Sequence, residues 1–280
     1  MLIIRSVKQL VKAIDRLKKE KKRIGFVPTM GFLHEGHLSL VRRARKENGC
    51  VVVSIFVNPI QFGPTEDFAR YPRSISRDRQ MLEKEHADIL FLPEVNEIYP
   101  KGFNRYVQPG LLAKGLCGRK RPGHFRGVTT VVNRLFELVR PDRAYFGKKD
   151  YQQAKVIEAM VKRLGVKVKI CLCELIRDFD GVAISSRNQY LSPEERIRAK
   201  ALYQSLKKAR RLIQSGIKDI SHIRSELEAF LKAHVDQIDY VEIVNSENLK
   251  PLKRISGRVL VAIACFVGRT RLIDNRVIKG

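Results

Sequence analysis

The sequence predicts an α/β fold with a doubly wound parallel sheet, followed by a second, smaller α+β domain. Two observations predict it. Over residues 1–175 short apolar segments alternate with amphipathic segments, as in parallel sheets covered by helices on both faces. Beyond about residue 176 two charged helices come first and apolar strands follow. Because 280 residues suit one large domain or two modest ones, we predict domains at residues 1–175 and 176–280.

The first predicted element is a helix from Ser6 to Lys19. Its apolar residues recur with the spacing of an amphipathic helix, and Ser6 is suited to the N-cap. The strands that follow are short apolar runs, and the helices between them are amphipathic. The predicted strands are Ile24–Val27, Cys50–Val57, Ile89–Leu92, Ala144–Phe146 and Val166–Leu172. The predicted helices are Gly36–Lys46, Ser74–Glu85, Val128–Val139 and Gln152–Leu164.

The C-terminal domain is predicted to begin with helices at Pro193–Gln214 and Ile220–His234. Three apolar runs follow them and are predicted as strands. These runs are Tyr240–Val244, Arg258–Phe266 and Thr270–Ile273. Helices first and strands afterwards are typical of an α+β domain.

The chain is strongly basic, with 55 Lys and Arg against 29 Asp and Glu and a formal net charge of +26. The excess is spread evenly, with +9 in residues 1–50, +9 in 51–175 and +8 in 176–280. An even excess is as typical of anionic small substrates, or of a source organism's general composition, as of nucleic-acid binding. Since no RNA-binding motif or basic–aromatic stripe accompanies the charge, we expect no nucleic-acid partner.

The sequence also disfavours a membrane protein or a secreted protein. No segment approaches the roughly 18–20 apolar residues of a membrane helix. The N-terminal MLIIRSVKQL lacks the apolar core of a signal peptide. Five cysteines without a CxxC pair support neither a disulfide framework nor a structural zinc site. We therefore expect a cytoplasmic protein with no membrane partner.

The densest group of chemically capable residues is the segment PTMGFLHEGH, from Pro28 to His37, between the first buried strand and its helix. Parallel sheets present ligand sites at this end of their strands. Glycines let the backbone approach a ligand closely, and the helix N-terminus attracts phosphate. His34 and His37 are three residues apart and would point the same way, towards phosphate oxygens. A metalloprotease HExxH motif would need one more residue between the histidines.

The H-x-G-H turn resembles the signature of the nucleotidyltransferase superfamily, and PTMGFLHEGHLSLVRRA resembles the pantoate–β-alanine ligase family in particular. Further segments agree in order and content: FVNPIQFGPTEDFARYPR at 56–73, CGRKRPGHFRGV at 117–128, RPDRAYFGKKDYQQ at 140–153, DGVAISSRNQYL at 180–191, and DYVEIV and TRLIDN near the end. The resemblance runs from about residue 24 to residue 275. It implies a Rossmann-like form of the predicted sheet, which binds ATP and pantoate, and a C-terminal domain that acts as a lid.

The activity implied by the resemblance is the ATP- and Mg²⁺-dependent joining of pantoate to β-alanine, in two steps. The pantoate carboxylate would attack the α-phosphate of ATP and give pantoyl adenylate and pyrophosphate. The amine of β-alanine would then attack the acyl group and give pantothenate and AMP. The implied partners are these small molecules and a second copy of the chain in a homodimer. Another acid-activating enzyme of the same superfamily is the alternative.

The resemblance implies catalytic roles for His37, the usual proton donor of the family, and for His34, Lys149 and Arg187. Such a reaction builds negative charge on the α-phosphate and on pyrophosphate, so donors and cations must be aimed there. Taken alone, Lys148 would be typical of a solvated surface charge. The implied ATP contacts are Met30, Gly31, Phe32, Leu33, His34, Glu35, Gly36 and His37, then Gly147, Lys148, Lys149 and Asp150, then Ile176, Ile184, Ser185, Ser186 and Arg187.

Two glutamines, Gln61 and Gln153, match the pantoate-binding positions of the family and argue against the alternative acid. An uncharged amide can bond both the hydroxyls and the carboxylate of a small polar acid. The further substrate-binding candidates are Asn58, Tyr71 and Arg121. The resemblance also implies that Asp78 neighbours magnesium, although a carboxylate at a helix start is often only helix-stabilising.

Three features depart from the family pattern. Phe32 stands where a small alanine is common, which would narrow the site or repack it. Arg119 and Lys120 add charge where many relatives have small residues. Phe179 replaces a frequent proline, which leaves the local conformation of its loop open.

Overall fold

The computed structural model describes residues 1–280, and the chain divides into two compact units. The first unit comprises Met1–Leu111 and Arg121–Glu174, and the second comprises Leu112–Lys120 and Leu175–Gly280. The boundary at Glu174 lies one residue from the end of the predicted first domain. The segment Leu112–Lys120, which we assigned to the first domain, belongs to the second unit.

The first unit is built on a six-stranded sheet in the order β1-β4-β3-β2-β5-β6, in which all pairs are parallel. Its strands are β1 (Leu2–Ile4), β2 (Ile24–Thr29), β3 (Cys50–Ile55), β4 (Ile89–Phe91), β5 (Arg143–Gly147) and β6 (Lys169–Cys173). Its helices are α1 (Val7–Lys19), α2 (Glu35–Glu47), α3 (Ile75–Lys84), α4 (Val95–Ile98), α6 (His124–Val139) and α7 (Tyr151–Leu164). The predicted doubly wound α/β fold is confirmed.

The order of the strands reverses direction between β2 and β5. From β2 the chain winds outwards through β3 to β4, whereas β5 lies on the other side of β2 and leads to β6. Ligands in open α/β sheets bind at such a switch point, beyond the carboxyl ends of the strands. The segment after Thr29 and the segment after Gly147 both start there, so the fold brings two of the predicted ATP-binding segments together.

The second unit contains an antiparallel sheet in the order β7-β8-β9 with long helices packed on it. Its elements are α5 (Leu116–Lys120), α8 (Pro193–Gln214), α9 (Ile220–Lys232), β7 (Gln237–Asn245), β8 (Arg258–Val267) and β9 (Thr270–Lys279). Helix α8 begins with a capping box in which Ser192 and Glu195 satisfy each other's backbone N–H groups. The predicted smaller α+β domain is confirmed.

Ion pairs explain why α5 belongs to the second unit. Arg119 donates to Glu242 of β7 at 2.6 Å, and the Lys120 ammonium lies 3.6 Å from Asp239 of the same strand. The two cations that depart from the family pattern therefore have carboxylate partners within their own unit. The sequence prediction missed this because the partners lie more than a hundred residues further along the chain.

The remaining differences from the sequence predictions are the short elements β1, α4 and α5, which were not predicted, and the ends of several other elements. Strand β1 was not predicted, because three residues are too few for a periodic pattern to emerge. Helix α6 begins four residues earlier than predicted, directly after Gly123, which adopts the left-handed conformation with φ of 82°. Strand β9 extends to Lys279 rather than ending at Ile273. No helix of the chain is both long enough and apolar enough to cross a membrane.

Candidate active site

The turn between β2 and α2 is anchored by hydrogen bonds to a buried carboxylate. Asp78, on the first turn of α3, is fully buried. Its two oxygens accept the N–H groups of Phe32 and Leu33, each at 2.7 Å. Gly31 and Phe32 both have positive φ, 83° and 49°, so the backbone turns sharply and only one of the two residues has the freedom of glycine. The position of Phe32 is therefore stabilised by Asp78.

Burial raises the pKa of the Asp78 carboxyl, while the two bonds from backbone N–H groups oppose this shift. These bonds occupy an acceptor site on each oxygen. The structure contains no group of three or more His, Cys, Asp or Glu side chains arranged to hold a metal ion. In this structure Asp78 anchors the turn through its two backbone hydrogen bonds.

The two histidines of the turn lie against each other at the start of α2. His34 occupies the N-cap position, and its carbonyl accepts the N–H of His37 at 2.8 Å. The ring centroids are 4.0 Å apart. The Nδ1 atoms of both rings are buried and have no hydrogen-bond partner. Since buried polar atoms are normally satisfied, this pair of nitrogens marks a place where a ligand would complete the structure.

Both imidazoles are neutral at physiological pH. Burial, followed by the charge of Lys149, lowers the pKa of His37 to about 4, against a weaker opposing effect of Asp150. Burial also lowers the pKa of His34 to about 2, with further contributions from His37 and Lys149. A neutral imidazole still donates one N–H. Each ring can therefore donate a hydrogen bond to phosphate without the cost of burying a second cation beside Lys149.

Lysine 149 follows β5 and lies in the same region as the histidine pair. Its ammonium is 3.8 Å from the carboxylate of Asp150, and its charge acts on both imidazoles. Lys148 is turned to an ion pair with Glu174. Of the two adjacent lysines, Lys149 is the one whose charge acts on the histidine pair.

The two residues Asn58 and Gln61 form a buried pair on the turn after β3. Asn58 is 1% exposed and Gln61 is 8% exposed. The Asn58 amide donates to Gln61 Oε1 at 3.1 Å, and Gln61 Nε2 lies 2.9 Å from the sulfur of Met30. Gln61 therefore contacts the histidine-bearing turn at Met30, and Asn58 is joined to that turn only through Gln61.

The other predicted substrate residues differ in accessibility. Gln153 is partly buried on the first turn of α7. Tyr71 is buried, with its ring 5.9 Å from that of Phe62. A cleft of about 580 Å³ opens beside the turn, and its lining includes Met30, Gly31 and Asp78.

The guanidinium of Arg121 does not stand free. It forms two bonds with the carboxylate of Glu66, one of them at 2.6 Å, and a third nitrogen lies 3.1 Å from His124 Nε2. His124 in turn bonds the carbonyl of Gln61 through Nδ1 at 2.9 Å. Arg121 is thus placed to support the turn that carries Gln61. Glu66 was not among the predicted site residues. A single carboxylate five residues after Gln61 forms no pattern that would have identified it.

The last predicted ATP-binding residues lie in the second unit. The carbonyl of Ile176 accepts the N–H of Ile184 at 3.1 Å. Ser185 caps the next turn by accepting the N–H of Arg187, and Ser186 is buried. The segment is fixed by Arg177, whose guanidinium bonds both carboxylate oxygens of Asp274 at 2.6 and 2.8 Å.

The whole chain matches a known family. The model for pantoate-beta-alanine ligase aligns with residues 2–277. The chain belongs to the pantoate–β-alanine ligase family. The match confirms the family resemblance found in the sequence and makes the chain an enzyme that joins pantoate to β-alanine.

Individual relatives agree with this assignment. The chain is 54% identical to the pantothenate synthetase of Thermotoga petrophila over 279 residues, which covers 99% of this chain and 100% of the relative. The pantothenate synthetase structure from Thermus thermophilus superposes with a TM-score of 0.93 at 46% identity and 99% coverage of both chains. A Francisella tularensis pantoate-beta-alanine ligase, solved as a complex with beta-gamma ATP and beta-alanine, superposes with a TM-score of 0.83 at 34% identity, covering 99% of this chain and 97% of its own.

Proposed function

We propose that this ligase makes pantothenate in two steps through pantoyl adenylate, with ATP bound beside the histidine pair. A carboxylate oxygen of pantoate attacks the α-phosphorus of ATP, and the bond to the bridging oxygen of pyrophosphate breaks. The amine of β-alanine then attacks the acyl carbon, the bond to AMP oxygen breaks, and the amine loses a proton. Pantothenate, AMP and pyrophosphate are the products. Binding of beta-gamma ATP and beta-alanine by the Francisella tularensis relative supports these substrates.

The observation that carries the proposal is the pair of unsatisfied imidazole nitrogens beside Lys149 at the switch point. Negative charge grows on the α-phosphate oxygens and on pyrophosphate during the first step. Two neutral N–H donors and one ammonium, already placed in a half-buried site, would stabilise that charge without reorganising. His34 and His37 act as donors, and Lys149 supplies the positive charge.

The substrate acid is proposed to lie beside Gln61, where it contacts Met30 of the histidine-bearing turn, with Gln153 as its second amide contact. Buried amides bond hydroxyls and carboxylates without adding charge. Magnesium would accompany ATP and draw most of its ligands from phosphate and water, as is usual for this ion. Such coordination needs few ligands from the protein.

The second unit is proposed to supply the lid of the site. Ser185, Ser186 and Arg187 offer two hydroxyls and a guanidinium fork, which match a pyrophosphate leaving group. We further propose a cytoplasmic homodimer with no nucleic-acid or membrane partner. Membership of the family supports the dimer, and sedimentation equilibrium at micromolar concentration would show a mass of twice 32.2 kDa.

Pyrophosphate exchange tests the two-step order directly. With pantoate and Mg²⁺ present and β-alanine absent, the enzyme should move labelled pyrophosphate into ATP. Release of AMP should then require β-alanine. His37→Ala should slow the exchange at least about a hundredfold, the scale expected for a lost charge donor. The exposed His222→Ala is the matched control and should leave the rate unchanged. Production of ADP and phosphate would contradict the proposal, since it requires attack at the γ-phosphate.

A further inference from the structure

We infer that Tyr99 is a positioning residue that, together with the backbone carbonyl of Gly127, holds the side-chain amides of Asn58 and Gln61 in one orientation, so that Gln61 turns its NH₂ group towards the substrate. The inference rests on the proposed function, which places pantoate beside Gln61. It assigns a role to Tyr99, which follows α4 and which neither the motifs nor the family resemblance singled out.

The backbone carbonyl of Gly127 sets the orientation of the Asn58 side-chain amide. The Asn58 amide nitrogen lies 3.1 Å from the carbonyl oxygen of Gly127. A carbonyl oxygen can only accept, so this end of the Asn58 side chain must be the NH₂ group. Its other end is then Oδ1, an acceptor, and the Tyr99 hydroxyl 2.8 Å away must donate to it.

The same logic continues to Gln61. The Asn58 NH₂ group also lies 3.1 Å from Gln61 Oε1, which must therefore be an oxygen. The remaining end of Gln61 is its NH₂ group, whose contact is the weakly accepting sulfur of Met30. A substrate oxygen is a better acceptor than a thioether, so the glutamine offers a donor to a carboxylate or hydroxyl oxygen.

Packing holds the Tyr99 hydroxyl beside Asn58 Oδ1. Its ring lies edge-on between Phe56 and Phe103, with centroid distances of 6.1 and 5.0 Å. Burial raises the pKa of the phenol above its ordinary value, so the hydroxyl keeps its proton throughout the physiological range. Tyr99, Asn58 and Gln61 thus form a hydrogen-bond relay. The Tyr99 hydroxyl, which begins this relay, can donate at any pH at which the enzyme works.

Glycine at position 127 makes the relay possible. A Cβ atom there would lie 2.4 Å from the carbonyl oxygen of Ile60 and 2.6 Å from the Cα of Gln61. Helix α6 therefore comes close enough to the turn for its backbone carbonyl to reach Asn58 only because residue 127 has no side chain. The anchor of the relay is backbone and cannot rotate.

Removal of the Tyr99 hydroxyl should weaken the binding of pantoate but not of ATP. Tyr99→Phe keeps the ring but removes the donor, which leaves Asn58 Oδ1 buried without a partner. The Asn58 amide is then held only through its NH₂ group, so its position beside Gln61 becomes looser. The KM for pantoate in pyrophosphate exchange should rise about tenfold, the lower part of the range for an unsatisfied buried acceptor. The KM for ATP should change less than twofold. Tyr106→Phe, at a 44% exposed tyrosine, is the matched control and should change neither constant.

A double-mutant cycle separates positioning from general damage. In a Gln61→Ala background the relay has nothing left to orient, so Tyr99→Phe should raise the pantoate KM no further. Side-chain amide NMR gives an activity-independent readout: the Asn58 NH₂ protons should be slow to exchange in the wild type and fast in Tyr99→Phe. Additive effects in the cycle, an equal rise in the ATP KM, or unchanged amide exchange would each overturn the inference. If the wild type shows no pantoate-dependent exchange at all, the proposed function fails, and the amide spectrum alone then decides the relay.

Discussion

Asp78 accepts the backbone N–H of Phe32 at 2.7 Å, across 46 positions of the chain. The bond holds a bulky residue in the left-handed backbone region, where φ of 49° is costly for any side chain. A second bond, to Leu33, fixes the next peptide. The turn that presents His34 and His37 is therefore shaped by a carboxylate on α3 and not only by its own glycines.

Replacing Asp78 with Asn should loosen this turn. The amide has a single oxygen, so one of the two N–H groups would face an NH₂ group and lose its acceptor. We expect a loss of about 1–3 kcal/mol in the free energy of unfolding, measured with denaturant, and a rise in the KM for ATP. Asp15→Asn, at an exposed ion pair with Arg140, should cost less than about 1 kcal/mol.

The same variant tests the magnesium role suggested by the family resemblance. If Asp78 only shapes the turn, the Mg²⁺ concentration that gives half of the maximal exchange rate should stay within about twofold of the wild-type value. A tenfold increase in that concentration would instead make Asp78 a ligand of the metal.

The buried histidines should make the protein sensitive to mild acid. Burial lowers the pKa of His37 and of His124 to about 4 each. Above the unfolded value of about 6.5 both states are neutral, and the stability is fully present. As the pH falls from 6.5 towards 4, the unfolded chain binds protons that the folded chain refuses. The free energy of unfolding should then fall by up to about 1.4 kcal/mol per pH unit for each histidine.

Denaturant unfolding of the wild type and of His124→Gln between pH 7.5 and 4.5 isolates this contribution from that of the carboxylates. The variant should lose stability with a shallower slope than the wild type over this range. His222→Gln, at an exposed position, is the control. Parallel slopes for wild type and His124→Gln would show that the pKa of His124 is the same in the folded and the unfolded chain.

If the proposed lid role of Ser186 and Arg187 holds, these residues act on the chemical step rather than on binding of the acid. Arg187→Ala and Ser186→Ala should each slow adenylate formation by an amount equivalent to roughly 2–4 kcal/mol, the usual loss for one preorganised donor. Rapid-quench measurement of pantoyl adenylate, at saturating ATP and pantoate, gives this rate. A weaker affinity for pantoate with a normal chemical step would assign the segment to a different task.

The sequence predicted the parts of the site that depend on local pattern. Apolar runs located β2 and β5, and their order placed the histidine turn and Lys149 at one sheet edge. The contacts of Asp78 with Phe32, of Glu66 with Arg121 and of Tyr99 with Asn58 could not be predicted. Each joins segments separated by 41–55 residues. Such bonds leave no periodicity in the sequence, because only the folded backbone brings their partners together.

Substitution of Gly36 should change the activity of the enzyme without lowering its stability. Glycine inside a helix costs about 0.5–1 kcal/mol relative to alanine, and Gly36 lies in the first turn of α2. A Cβ atom at this position would lie 3.0 Å from two atoms of the His34 ring, so the ring must shift by a few tenths of an ångström.

Gly36→Ala should therefore leave the free energy of unfolding unchanged or slightly raised while pyrophosphate exchange falls at least about tenfold, because a small displacement of a positioned donor is costly for catalysis. Gly115→Ala, where a Cβ atom meets nothing within 4 Å, controls for the substitution itself and should leave exchange at the wild-type rate. Exchange at the wild-type rate in Gly36→Ala would mean that the His34 ring does not need its observed position. A loss of stability parallel to the loss of activity would mean that the helix, rather than the imidazole, had been disturbed.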